Sequence, residues 1–302
     1  MKLPRILVAT LTSLLLAASA PAADRLELKP GDHVALIGNA LADRMQHHGW
    51  LETLIVARFP KHDLVFRNLG FSGDEVAGFL DKPGKDDKNL RNRSENFGSS
   101  DDWLMRVKAD VILAFFGFNE SFAGDAGLAK FKKDLGQFLT ETKGKNFSGK
   151  GAPRIVLFSP IAAERSNDPN HPATEASNAN LKKYAAAMAE VAMANGVPFV
   201  DLFPISQQLY ADAAKQKQTL TFNTIHLTEA GDKALAPEIF RALFGETAPS
   251  GKLEKLRAAI NEKNAEWHAR YRTVDGYNVY GGRSQLSYGA ALVNSKTPAA
   301  LP

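Results

Sequence analysis

The chain has 302 residues, 37 Lys+Arg against 33 Asp+Glu for a formal charge of +4, 44% hydrophobic residues and no Cys. This composition excludes a disordered, collagen-like or coiled-coil chain. The missing Cys excludes a thiol nucleophile, a thiolate-ligated metal and any disulfide. So small a charge over this length gives no reason to expect nucleic acid as a partner.

Met1–Ala23 reads as a secretory signal. Lys2 and Arg5 form a positive start, Ile6–Ala18 is an apolar run, and Ala20-Pro21-Ala22 fits the small-x-small cleavage rule. Cleavage is expected after Ala22 or Ala23. The competing reading, an uncleaved anchor, needs about 20 apolar residues to span a bilayer, and this run is shorter. Without Lys2 and Arg5 the charge falls to +2. The expected location is periplasmic or extracellular in a bacterium, with no membrane anchor after cleavage.

Strand and helix signals then alternate. His33–Ile37 is a short apolar run ending at Gly38, as a buried strand does. Leu41–Arg58 carries a helical apolar face. Asp63–Asn68 is a second strand and Asp101–Lys108 a short helix capped by Ser99, Ser100 or Asp101. Asp110–Phe116 is the third strand, Gly127–Thr142 an amphipathic helix, Arg154–Ser159 the fourth strand, and Thr174–Asn195 a long helix stopped at Asn195-Gly196. Val197–Asp201 is the fifth strand. Ile205–Lys215 and Thr228–Phe244 are helices, the latter capped by Thr228. Strands separated by helices this long need crossover connections. The expected fold is therefore a three-layer α/β/α sandwich on a five-stranded parallel sheet, with ligands at the carboxyl ends of its strands.

Two stretches break the alternation. Asp81–Ser100 is a long polar loop, and such loops are commonly functional or disordered; a lid over the strand ends is the expectation. Beyond residue 248 a charged helix is expected over Lys252–Ala269, followed by Tyr271–Tyr288, which holds four of the six Tyr. This C-terminal extension is expected to pack on the domain formed by residues 24–248, leaving Asn294–Pro302 frayed.

The strand ends carry four short blocks. Gly38-Asn39-Ala40-Leu41 follows strand one, and Gly70-Phe71-Ser72-Gly73-Asp74 follows strand two. Gly117-Phe118-Asn119-Glu120 follows strand three, and Asn223-Thr224-Ile225-His226 precedes the last helix of the domain. In order and spacing they resemble the SGNH (GDSL-type) hydrolase family over roughly Gly31–Phe244. The resemblance implies a flavodoxin-like fold, a nucleophilic Ser and an Asp in the first block, and oxyanion donors in the second and third. It also implies an Asp-x-x-His pair in the last.

Here Asn39 stands for the family's Asp, Ala40 for its nucleophilic Ser, and Asn223 for the acid that orients His226. An Ala methyl cannot attack a carbonyl, and an Asn amide cannot offset imidazolium charge. The resemblance makes His226 a general base or its relic, with Gly70 and Asn119 as oxyanion donors and Glu120 in place of the family's Asp. Each has a plainer reading. His226 can be a helix-entry residue, Asn119 a turn residue, Gly70 a turn glycine and Asn39 a helix cap. Ser72 is either a substitute nucleophile or turn chemistry. Ser121 is a still weaker candidate. Ala40, Ser72 and Glu120 are expected to touch substrate. Arg67, Arg91 and Arg93 are either a basic rim for a carboxylate or sulfate or a solvated loop. His47 and His48 are adjacent on a helix and point apart, so no metal site is expected of them; no cofactor is implied.

Three functions follow. The first is a secreted esterase or acylhydrolase acting on carbohydrate or other small esters through an altered site, with His226 activating water. The second is a non-catalytic pseudoenzyme that keeps the pocket and binds a glycan or another acylated ligand. The third is an envelope protein with the Tyr-rich tail as its interface.

Overall fold

The computed structural model describes residues 25–81 and 98–271. The expected signal, most of the Asp81–Ser100 loop with Arg91 and Arg93, and the Tyr-rich tail beyond Tyr271 lie outside the described residues.

Five strands, β1 (His33–Gly38), β2 (Val65–Asn68), β3 (Val111–Phe115), β4 (Arg154–Phe158) and β5 (Phe199–Val200), form one sheet in the order β2-β1-β3-β4-β5. Every neighbouring pair is parallel. The helices are α1 (Ala40–His48), α2 (Trp50–Arg58), α3 (Ser100–Arg106), α4 (Gly124–Lys143), α5 (Glu175–Ala194), α6 (Leu202–Lys215), α7 (Glu229–Phe244) and α8 (Glu254–Tyr271). From β1 the chain steps outward to β2, then returns across β1 to build β3, β4 and β5. The connections therefore diverge between β1 and β3, and a crevice opens there at the carboxyl ends.

Period-two alternation buries both faces of the sheet. Val34, Leu36, Val111, Leu113, Phe115, Val156 and Phe158 pack against α1, α2, α6 and α7. Ala35, Ile37, Ile112, Ala114, Ile155 and Leu157 pack against α3, α4 and α5. The three-layer α/β/α sandwich expected from the sequence is the fold observed.

The element bounds differ from expectation for local reasons. Leu41–Arg58 is two helices, because Gly49 adopts φ 66° and ends α1 with its N–H on the Met45 carbonyl. A Cβ at Gly49 would lie 2.3 Å from Asn261 Oδ1 on α8. The fifth strand shrinks to Phe199–Val200 because Asp201 leaves it to cap α6, accepting from the Phe203 N–H at 3.1 Å. Strand two starts late, at Val65, after Asp63 at φ 50°. Ser99 is the cap of α3, in a reciprocal box with Asp102.

The charged C-terminal helix, α8, covers the β2 edge. Trp267 Nε1 donates to the Asn68 carbonyl at 2.7 Å and the Tyr271 hydroxyl to the Leu69 carbonyl at 3.0 Å. Lys263 pairs with Glu52 at 2.7 Å. These side chains satisfy carbonyls that would otherwise leave an open strand edge. Arg67 lies under the same helix, its guanidinium 5.2 Å from the Trp267 ring.

The junction of β1 and α1 tolerates only glycine. Gly38 adopts φ 111°, and a Cβ there would lie 1.9 Å from the Phe115 carbonyl oxygen. Gly38→Ala should destabilise the fold by about 4 kcal/mol or more, seen as a collapse of the urea midpoint or loss of soluble protein.

Candidate functional site

A narrow cavity, about 460 Å³ of empty space with the solvent at its mouth included, opens at the β1/β3 divergence. Asn39, Ala40, Arg44 and His48 reach it from the start and one face of α1. Phe118 reaches it from the loop after β3, His226 from the loop before α7, and Asp232 from the first turns of α7. The first and last blocks of the sequence therefore meet in space.

His226 rides on a tight hairpin. Thr221 and Leu227 form an antiparallel bridge, and the Phe222 N–H donates to the His226 carbonyl at 3.1 Å. Thr224 turns the hairpin at φ 72°, a strained value for a β-branched residue. Glu164 holds the structure from behind. Its buried carboxylate accepts from the Thr221 N–H and hydroxyl at 2.7 and 2.6 Å and from the Leu220 N–H at 2.9 Å, while its own N–H donates to the Thr224 carbonyl. Nothing in the sequence around Glu164 announces this role.

Asn223 reaches back onto the imidazole. Its Oδ1 accepts the His226 backbone N–H at 2.9 Å, which orients the amide. Its Nδ2 is then the atom nearest His226 Nδ1, at 2.9 Å against 3.1 Å for Oδ1. An amide N–H donated to Nδ1 places the ring proton on Nε2. Burial, then the nearby Arg44 charge, pull the His226 pKa down, with Asp43 opposing. Phe222 stacks on the ring at 5.6 Å. At neutral pH the ring is uncharged, and with the Nδ2 N–H donated to Nδ1 its Nε2–H is the free donor.

The remaining blocks are turned to structural work. The Gly70 N–H, expected as an oxyanion donor, donates to Asn68 Oδ1 at 2.8 Å. Ser72 donates both its N–H and its hydroxyl to Asp43 Oδ2, at 3.1 and 2.8 Å, which is turn chemistry rather than a nucleophile's setting. Glu120, expected at the substrate, is buried and accepts from the Val76 and Gly117 N–H groups at 2.9 Å each, pinning two loops together. Burial pushes its pKa up to about 7. Ser121 donates to the Phe118 carbonyl. Asn119 keeps a buried Oδ1 without a hydrogen-bond partner, but its neighbour Phe118 is the residue that lines the cavity. Asn39 Oδ1 caps α1 at the Leu41 N–H, 3.2 Å away, and the residue lines the cavity.

Arg44 and Asp232 were not singled out by sequence, and His48 was considered only beside His47 as a metal ligand. Arg44 and His48 lie four and eight residues beyond Ala40, on the helix face that Ala40 begins. That spacing was the available signal. Burial raises the Asp232 pKa to about 8, against the pull of Arg44. His47 meets not His48 but His268 of α8, ring centroids 5.2 Å apart. With Asp43 they bring three ligand-type atoms within 4.8 Å of one another, although the Asp43 oxygens already accept from Ser72 and Gln46.

Residues 38–234 match the model of the GDSL-like lipase/acylhydrolase family. The chain belongs to that family. No curated protein matches it in sequence. Among solved structures it is similar to BT4096, a gut microbial diltiazem-metabolizing enzyme, at TM-score 0.56 and 20% identity over 72% of this chain. It spans about half, 48%, of that enzyme's length. It is also similar to Axe2, an acetylxylan esterase from Geobacillus stearothermophilus, at TM-score 0.53 and 18% identity, over 75% of this chain and 100% of that one. A third neighbour is the acetyl xylan esterase AlAXEase, at TM-score 0.50 and 15% identity, over 70% and 100%. At these identities the likenesses concern the fold.

Two expectations follow from this geometry. Glu164→Ala should cost about 3 kcal/mol, because it strands buried donors that bonded a carboxylate; urea denaturation checks it. Glu120 and Asp232 bind a proton more tightly folded than unfolded, so stability is lost as pH rises from the ordinary carboxylate range to about 8. The urea midpoint should fall across that window, and Asp232→Asn should remove the part of the fall nearest pH 8.

Proposed function

We propose that this chain is a non-catalytic member of its family, one that binds a small acyl compound in the cavity and forms no acyl-enzyme. The supporting observation is the Asn223 amide on His226 Nδ1, beside Ala40. In a working triad the acid accepts the Nδ1 proton and leaves the Nε2 lone pair free to take the nucleophile's proton. Here Nε2 carries the proton, so it donates to a guest and cannot act as a base towards one. The Gly70 N–H, spent on Asn68, supports the same reading, since the stabilisation of a developing oxyanion is reduced with it.

The cavity wall suits an acyl chain: Leu41, Met45, Phe118, Ile161, Ile225 and Leu227 are apolar. An acylated glycan fragment is one such guest, in keeping with the acetylxylan esterases among the structural neighbours. The expected place of action is outside the cytoplasm, on the strength of the Met1–Ala23 sequence. Among the described residues no helix is long and apolar enough to cross a membrane.

An aryl acetate assay tests the proposal. Wild type should be inert, and Ala40→Ser with Asn223→Asp should hydrolyse the ester. Ala40→Ser alone should remain about 10⁴-fold slower than the pair, because the Asn holds the wrong tautomer. Turnover by wild type that His226→Ala abolishes would establish water activation and overturn the reading.

A further inference from the structure

Arg44, His48 and Asp232 line the cavity, and each holds one buried polar atom with no hydrogen-bond partner among the described residues: Arg44 Nε, His48 Nε2 and Asp232 Oδ2. Buried polar groups in folded proteins are nearly always paired. Three orphans lining one cavity mark a site whose partner is a guest.

Their charges say which guest. Arg44 is a permanent cation. It rests against the exposed Phe222 ring, 4.8 Å from its centroid, and among the described residues it has no ion pair. The acid closest to it in the lining, Asp232, is buried and is held in its neutral form at pH 7. Both imidazoles of the lining, His48 and His226, have lowered pKa values, with burial as the main cause and Arg44 contributing. The other charged groups that Asp232 and His48 feel are Glu229, one turn back on α7, and Arg257 of α8; these two pair with each other at 3.0 Å. At neutral pH the lining therefore carries one net positive charge within apolar walls.

We propose that the cavity binds a small monocarboxylate with an apolar body, its carboxylate received by Arg44 and its chain lying on Leu41, Met45, Phe118 and Ile161. The proposal rests on the reading that this cavity binds rather than turns over an acyl compound, and it specifies the free acid anion rather than the ester. The protonated Asp232 carboxyl donates its O–H to the guest, as does Nε2 of His226. The guest gains a charge-assisted contact that a neutral ester or amide of the same shape cannot make.

Calorimetric titration at pH 7 with hexanoate and with its neutral isostere hexanamide tests this on the full chain. Hexanoate should bind at least about tenfold more tightly than hexanamide, the margin of one hydrogen bond to a charged group. In Arg44→Gln that ratio should collapse to within about threefold. Equal binding of the two probes by wild type, or no saturable binding of hexanoate, would overturn the proposal without recourse to any variant.

The alkaline limb gives a second reading. Hexanoate affinity should fall above about pH 8 as Asp232 ionises and repels the guest. In Asp232→Asn the fall should be absent, with binding at pH 9 within about threefold of that variant's own binding at pH 7. A fall that persists in Asp232→Asn would overturn the donor role. Ester turnover by wild type would sink the non-catalytic reading yet leave the anion preference of the cavity measurable by this titration, so the two failures are separable.

Discussion

Where β1 ends, the Phe115 carbonyl of β3 stands 1.9 Å from the position a Cβ on residue 38 would take. That close approach sets the geometry of everything downstream. It turns the chain at φ 111° and directs Asn39 to cap α1 with its side chain, while the Asn39 N–H bonds the same Phe115 carbonyl at 3.1 Å. Ala40 is then the first residue of the helix. The next two turns of that face carry Arg44 and His48 into the same crevice. A wider spacing at the β1/β3 junction would move the helix start, and with it the whole wall of the cavity.

The opposite wall depends on a different device. The hairpin that presents His226 is short, strained at Thr224 and partly exposed at Phe222. It is held in place by the buried Glu164 carboxylate, which bonds backbone and side chain on one strand of the hairpin and, through its own N–H, the turn. Hydrogen bonds to a charged acceptor are the strong ones in a low-dielectric setting. One carboxylate can therefore hold a loop that has little apolar surface of its own to bury. Glu120 joins the loops after β2 and β3 with the same kind of hydrogen bonds from backbone N–H groups, although burial raises its pKa to about 7. The fold thus uses its buried acids to position the rim of the crevice, and retains in the crevice a cation, two neutral imidazoles and a neutral carboxyl.

Much of this was legible in the sequence. The strands announced themselves as short apolar runs ending in Gly, Asn or Pro, because a parallel strand buried on both faces needs continuous apolar side chains. The first and last blocks at the strand ends supply Asn39, Ala40 and His226 to the cavity wall. The roles of Gly70, Ser72 and Glu120 were not legible. Each was assigned a task at the substrate by its place in a block, and each faces a neighbouring loop or helix instead. Whether an N–H points into a cleft or at an Asn two residues back is decided by local backbone rotation, which residue identity leaves open. The break at Gly49 was missed for a related reason: the apolar face continues through it, and the glycine is required by Asn261 on a helix about 210 residues later.

The sequence by itself determined the sheet, its layers and the strand ends that line the cavity, because periodicity and strand-end punctuation are local facts. Tertiary structure alone decided the charge state and direction of the groups around that site. The Asn223 amide became the donor to His226 only because the hairpin brings the His226 N–H onto its oxygen. Asp232 became a neutral acid only because burial beneath α1 removes it from water. Arg44 became the lone cation of the cavity only because Asp232, the acid facing it, is neutral. Desolvation and partner geometry depend on residues that meet across the fold, and that meeting is written in no single stretch of the chain.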